Sequence, residues 1–296
     1  MNIDEDFYSL PDIQQNNSFI FYVERPGSGQ LDKLHIKNLL LNQETVTGLY
    51  STSGFYNDIS IFNCQIFYCG GLISINGSNK ETNDCCVVDL RSFPQLTNNR
   101  NMKLNNRRSC VSLISTTKFI FCLGGKLDGV DLNHCEYYSN SNQVSWVNLK
   151  PLNQPNSFIT SVFVNPDLIY VLGGRSNKKC EMFNINNMND GWKPVEFQNS
   201  FCRSLGATFM LNKKRILIFG GDLAPSEKRN EFVILNPSKI GKNNFEIKVQ
   251  SFIAKWSYST RPTYFRSELY VVSESRKKYC IINPLNLKYE EKNLNF

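Results

Sequence analysis

Short apolar runs bounded by polar loop residues recur along the chain, and four of them close on a pair of glycines. Ile66–Cys69 precedes Gly70-Gly71, Ile120–Leu123 precedes Gly124-Gly125, Ile169–Leu172 precedes Gly173-Gly174, and Ile216–Phe219 precedes Gly220-Gly221. From Gly70 to Gly124, Gly124 to Gly173 and Gly173 to Gly220 the steps are 54, 49 and 47 residues. Runs of this length, rich in Ile, Val, Phe, Tyr and Cys and flanked by Gly and Asn, predict buried β-strands rather than helices. Their steady period predicts a repeat array. Two degraded copies flank the clear ones: Phe19–Glu24 has Val23-Glu24, and Leu269–Glu274 has Ser273-Glu274, where the glycines would stand. Six units of about 49 residues then fill the chain.

Each unit carries the same pieces in the same order. Unit four reads as strands over Phe158–Val164, Leu168–Leu172, Cys180–Ile185 and Trp192–Phe197. Unit three reads as Cys110–Ile114, Phe119–Leu123, Cys135–Tyr138 and Val144–Leu149, and unit five as Leu205–Leu211, Ile216–Phe219, Phe232–Leu235 and Phe245–Val249. Four short strands per unit predict one small antiparallel sheet each. A glycine pair at the end of the second strand has no Cβ atoms, which allows positive φ, a bulge or close approach of another backbone. Trp146 and Trp192 follow Gly124 and Gly173 by 22 and 19 residues, near the start of the outermost strand. There they are expected to wedge between neighbouring sheets, with Phe245 in the same role in unit five. The units run over 5–49, 50–104, 105–153, 154–200, 201–253 and 254–296 of a single domain. Phe7–Ile13 is expected as the first strand of unit one and Lys288–Leu294 as the last of unit six, the ring closing where these units pack. The alternative inserts the N-terminal segment as the outermost strand of a shared sheet.

Arg108-Ser-Cys-Val-Ser-Leu, the run into Gly124-Gly125, then Glu136-Tyr-Tyr, Trp146 and Leu149-Lys-Pro-Leu152 resemble a kelch repeat. Arg203-Ser-Leu-Gly-Ala-Thr followed by Ile216–Gly221 resembles another. The resemblance spans the chain, strongest in units three to five and weakest in units one and six, which lack the glycine pair. It implies an all-β, six-bladed propeller with four antiparallel strands per blade. The family hosts many functions: interaction scaffolds, galactose oxidase and other sugar-processing enzymes, and substrate-recruiting subunits of ubiquitin ligases. The last use an added helical domain, for which residues 1–18 are too few.

Composition narrows the choice. The 296 residues are 41% hydrophobic and 12% aromatic, enough for a globular core. No stretch approaches the ~20 apolar residues that span a bilayer, and the N-terminal residues are acidic, so a cytosolic protein with its ten cysteines reduced is expected. Cys69, Cys122 and Cys180 sit in strand runs as small hydrophobes. No Cys-x-x-Cys occurs, Cys85 and Cys86 point to opposite faces of one strand, and Cys64 and Cys69 are five apart. The two histidines, His35 and His134, fall in different units, at expected loop or strand-edge positions, with no triad or copper-ligand pattern around them. The expectation is no catalytic residue, no metal and no cofactor. A metal-independent sugar-processing enzyme is the alternative.

Charge adds a candidate surface. The formal net charge is +7. After the second strands come Lys126; Arg175, Lys178 and Lys179; Lys228 and Arg229; and Arg276, Lys277 and Lys278. The segments leading into the first strands open on the same face and carry Arg107, Arg108, Arg203 and Arg261. These sets predict a cationic docking face for an acidic protein segment, Arg for bidentate carboxylate contacts and Lys for steering. The bland alternative is ordinary solvated loop charge, with Asp222, Glu227 and Glu274 interspersed. A charge of +7 over 296 residues is modest for a nucleic-acid binder, and the basic loops lack interleaved aromatics. The function expected is a non-catalytic scaffold or assembly subunit, cytoskeletal or ciliary.

Overall fold

The computed structural model describes residues 18–24, 31–52, 58–75, 77–139, 145–164, 166–176, 179–196, 204, 206–212, 215–224, 227–228, 231–236, 249–251, 262–273, 278–284 and 286–293. Within them the chain forms six small antiparallel sheets arranged as a six-bladed β-propeller. Blade 1 holds Phe19–Glu24, Leu31–Asn38 and Gln43–Thr52. Blades 2 to 6 hold four strands each, hydrogen-bonded in chain order from the inside out. In blade 3 these are Ser112–Ser115, Ile120–Leu123, Cys135–Tyr138 and Val147–Leu149, and in blade 4 Ser161–Val164, Leu168–Leu172, Cys180–Asn184 and Lys193–Val195. The expected first strand Phe7–Ile13 and Phe245 lie outside the described residues.

Alternation on the strands explains why the apolar runs are unbroken. Side chains of successive residues leave a strand on opposite faces, and both faces of a blade meet another blade. Ile216 and Ile218 pack with Val162, Val164 and Leu172 of blade 4, whereas Leu217 and Phe219 pack with Leu269, Val271 and Cys280 of blade 6. The core is therefore a set of layers between blades. One joins blades 1 and 2, another blades 2 and 3, and a third blades 3 and 4. Trp146 and Trp192 wedge as expected: Trp146 meets Phe67 of blade 2 at 6.4 Å, and Trp192 lies 5.0 Å from Phe183 in the layer that also holds Phe121 of blade 3.

The ring closes where blade 1 meets blade 6. The Thr263 hydroxyl donates to the Phe19 carbonyl at 2.9 Å, and Ile20 packs on Val272. Blade 6 takes its fourth strand, Tyr289–Asn293, from its own unit.

In blades 2 and 3 the glycine pair fastens the blade to the next. The Gly71 amide donates to the Arg108 carbonyl at 2.9 Å, and the Gly125 amide to the Asn156 carbonyl at 3.0 Å, both in the following blade. At Gly124, φ is +57° and an added Cβ would lie 2.4 Å from that Asn156 oxygen. At Gly125, φ is +119° and a Cβ would stand 2.8 Å from Ser109 O of its own blade. One glycine makes room for the neighbour and the other for its own inner strand.

Two features differ from the sequence expectation. The connections after the second strands of blades 2, 3 and 5 are two-stranded ribbons, including Lys126–Leu127 with Val130–Asp131 turning at Asp128-Gly129. Asp-Gly with positive φ at both residues is the local signal for such a hairpin. The cysteines are not all reduced: Cys69 and Cys85 are cross-strand partners, 4.1 Å apart at Cα, and form a buried disulfide. No helix among the described residues is long and apolar enough to cross a membrane.

Candidate functional site

The face formed by the lead-in segments and the ribbons is built by hydrogen bonds between them. Arg108 N donates to Thr82 O, Ser109 and Lys126 exchange backbone hydrogen bonds, Asn156 N donates to Leu132 O, and Arg175 N donates to Ser157 O. These bonds tie the lead-in segments to the neighbouring ribbons and post-strand connections. Arg107, Arg175 and Lys179 are exposed there. The Arg175 guanidinium lies over the Phe158 ring, 5.5 Å from its centroid. Stacking of this kind holds the planar group against an apolar base while its edges remain in water. Lys126 is half-buried and 3.9 Å from Asp131 of its own ribbon, and Lys278 pairs with Glu291 at 3.4 Å. Lys228 falls in the strand Glu227–Lys228. Lys178, Arg203, Arg229, Arg261, Arg276 and Lys277 lie outside the described residues.

Arg108 is a correction. It was expected on the docking face, yet its side chain is fully buried and forms an ion pair with Glu136 at 2.7 Å, itself fully buried. Its other amino group donates to Gly124 O at 3.1 Å and His134 O at 2.8 Å. Arg107 is exposed and Arg108 fully buried, so of two adjacent side chains one goes to solvent and the next to the blade interior. A buried carboxylate in blade 3 supplies the partner that a docking arginine would have sought elsewhere.

The remaining oxygen of Glu136 accepts from Asn105 N at 2.8 Å, and the Asn105 amide donates to Trp146 O at 3.2 Å. Blade 4 repeats this. Glu181 accepts from Asn153 N at 3.0 Å, and the Asn153 side chain donates to Trp192 O at 2.9 Å. Sequence reasoning missed Asn105, Asn153 and Glu181. The signal was present in the 48-residue step from Asn105 to Asn153 and the 45-residue step from Cys135-Glu136 to Cys180-Glu181.

At the mouth of the axis on this face, Cys110 and Phe158 occupy equivalent positions with φ of +56° and +51°, and the Phe158 amide donates to Cys110 O at 3.0 Å. Deeper in, hydroxyls pair between inner strands: Ser60 with Ser115 at 2.8 Å, and Ser112 with Ser161 at 3.0 Å. Thr208 donates to Ser161 O at 2.6 Å. These contacts link the inner strands of blades 2 to 5 in succession.

Burial pushes the Cys110 thiol up to about 11 and those of Cys122, Cys135 and Cys280 up to about 12. These thiols stay protonated and inert in the folded protein, so alkylation at mild alkaline pH is expected to spare them until the chain unfolds. Unfolded thiols ionise near ~8.5. The unfolded chain then releases protons first, and stability falls as pH rises from ~8.5 towards ~11. Urea midpoints measured at rising pH check this, a constant midpoint being the contrary result.

His35 lies in the middle strand of blade 1, not at an edge or loop, with Nε2 3.0 Å from Glu24. His134 is exposed in blade 3. No cluster of three or more His, Cys, Asp or Glu suited to a metal ion occurs among the described residues.

No family model matches the chain. No curated protein matches it. Among solved structures the chain is similar to the one described as "Structure of YjhT", at 9% sequence identity and a TM-score of 0.69, covering 94% of this chain and 95% of that one. A likeness at that identity carries the fold alone.

Proposed function

We propose that the chain is a kelch-type propeller that acts without catalysis, as a scaffold or assembly subunit whose cationic face docks an acidic segment of a protein partner. What supports this reading is the exposure of Arg107, Arg175 and Lys179 on the lead-in segments and post-strand connections, with Arg175 braced over Phe158. An arginine held flat presents paired donors to a carboxylate with less entropy to lose than a free side chain. The kelch resemblance rests on the glycine pairs, Glu136, Trp146 and their counterparts in blade 4.

Reversing Arg107, Arg175 and Lys179 to Glu together is expected to abolish capture of the acidic partner from native extract at moderate salt. The circular dichroism spectrum should stay unchanged, because all three side chains are at the surface. Added salt should weaken capture by the unaltered protein. Undiminished capture by the triple variant removes the reading. Turnover of phosphorylated or acetylated sugars by the metal-free protein replaces it with the enzymatic one.

A further inference from the structure

We infer that the mouth of the axis between blades 3 and 4 binds hydrogenphosphate, its charged oxygens held by Lys126 and Arg175 and its remaining proton donated to Asp131. The docking reading shares Arg175 with this site but neither Lys126 nor Asp131.

The ribbon of blade 3 has the reverse of the polarity a surface hairpin calls for. Lys126 and Asp131 are directly opposite each other, as are Leu127 and Val130, and directly opposed residues share one side of a ribbon. On the apolar side Val130 is 65% exposed, whereas the Lys126 and Asp131 side chains are only 29% and 14% exposed. The charges are turned towards the protein and the valine towards water. Buried charge, not a surface valine, is what requires a reason.

The inward pair does not satisfy itself. Lys126 Nζ stands 3.9 Å from Asp131 Oδ1, an ion pair too long for a direct hydrogen bond, and that buried oxygen has no hydrogen-bond partner among the described residues. Ser157 adds a second such atom: the residue is fully buried, its Oγ has no partner among the described residues either, and its carbonyl accepts from Arg175 N. Buried polar atoms left over in this way mark the place of an ion or a water.

The three ionised groups gather around Cys110. Ser109 and Lys126 exchange backbone hydrogen bonds in blade 3, Arg175 N bonds Ser157 O at the equivalent place in blade 4, and the Phe158 amide joins the two blades at Cys110 O. The Cys110 thiol feels the charges of Lys126, Arg175 and Asp131 alike. Arg175 is oriented beforehand by its stacking on Phe158. Lys126 and Arg175 together outweigh Asp131, so the site favours an anion. The carboxylate then sets which anion: it repels one that offers only acceptors and accepts from one that carries a donor. Hydrogenphosphate keeps a proton throughout the neutral range, and sulfate has none.

Isothermal titration of the full chain with inorganic phosphate is expected to show binding, with sulfate at least about tenfold weaker. At about pH 7.5, O-phosphoserine is above its second pKa of ~6 and has no proton to donate, so it should resemble sulfate; this separates free phosphate from a phosphorylated partner. Asp131→Asn supplies a donor beside its acceptor, and sulfate should then bind as tightly as phosphate. Arg175→Ala should weaken phosphate at least about tenfold. Asp131→Asn should keep the circular dichroism of the unaltered chain and its capture of the acidic partner. Absence of phosphate binding, the result if water alone fills the site, overturns the inference and leaves the docking reading standing. Equal affinity of the unaltered chain for phosphate and sulfate, or a preference for phosphate that survives Asp131→Asn, overturns it as well.

Discussion

Arg108→Ala is expected to lower the stability of the propeller by about 3–5 kcal/mol, the usual cost of removing one member of a buried ion pair. Arg108 and Glu136 are both fully buried, and truncation leaves the Glu136 carboxylate without its cation and the Gly124 and His134 carbonyls without their donor. Glu136→Ala should cost a similar amount, because it strands the guanidinium and the Asn105 amide together. Removing both charges with Arg108→Met and Glu136→Gln should cost less than either single change to alanine, since Gln keeps an acceptor for Asn105. Arg107→Ala, one residue away at the surface, should stay within about 0.5 kcal/mol. Urea denaturation of the four variants checks the series. If Arg108→Ala and Arg107→Ala are equally mild, the buried placement of Arg108 is wrong.

Gly124→Ala carries the second large effect, about 3 kcal/mol or more. Its Cβ would stand 2.4 Å from Asn156 O and 2.7 Å from Ile159 Cδ1, both in blade 4, at a φ of +57°. Left-handed backbone costs a side-chain-bearing residue roughly 1–2 kcal/mol, and forcing atoms into a packed interior adds roughly 1–3 kcal/mol. Gly129→Ala separates the two contributions. It sits at φ +79° in the ribbon turn, where a Cβ would meet nothing within 4 Å, so only the conformational cost of roughly 1–2 kcal/mol applies. Thermal melts of the two variants should differ clearly. Equal melting temperatures would mean that the glycine pair serves the turn and not the contact between blades.

The fold was legible because its two determinants are local and repeated. Strand-length apolar runs and the Gly-Gly step need no knowledge of what lies across the structure, and Ile216–Gly221 reads the same way in isolation as in the blade. The candidate face was legible only in outline. Chain order shows that the lead-in segments and the post-strand connections share a face, but not which way each side chain turns. Arg107 and Arg108 are adjacent and equally basic, and they part because Glu136, 28 residues on, is folded beneath the second of them. The Cys69–Cys85 disulfide was hidden for the same reason. Each cysteine alone passes for a small core residue, and only the strand register sets them opposite each other. Asn105 and Asn153 were masked by the abundance of asparagine in the loops, which made a recurring bond look like turn composition.

The contact between Ile20 and Val272, with the Thr263 hydroxyl on the Phe19 carbonyl, joins the last unit of the chain to the first. A circle closed by partners 244 residues apart ties the two ends of the chain together, so that loosening either end also strips a neighbour from the other.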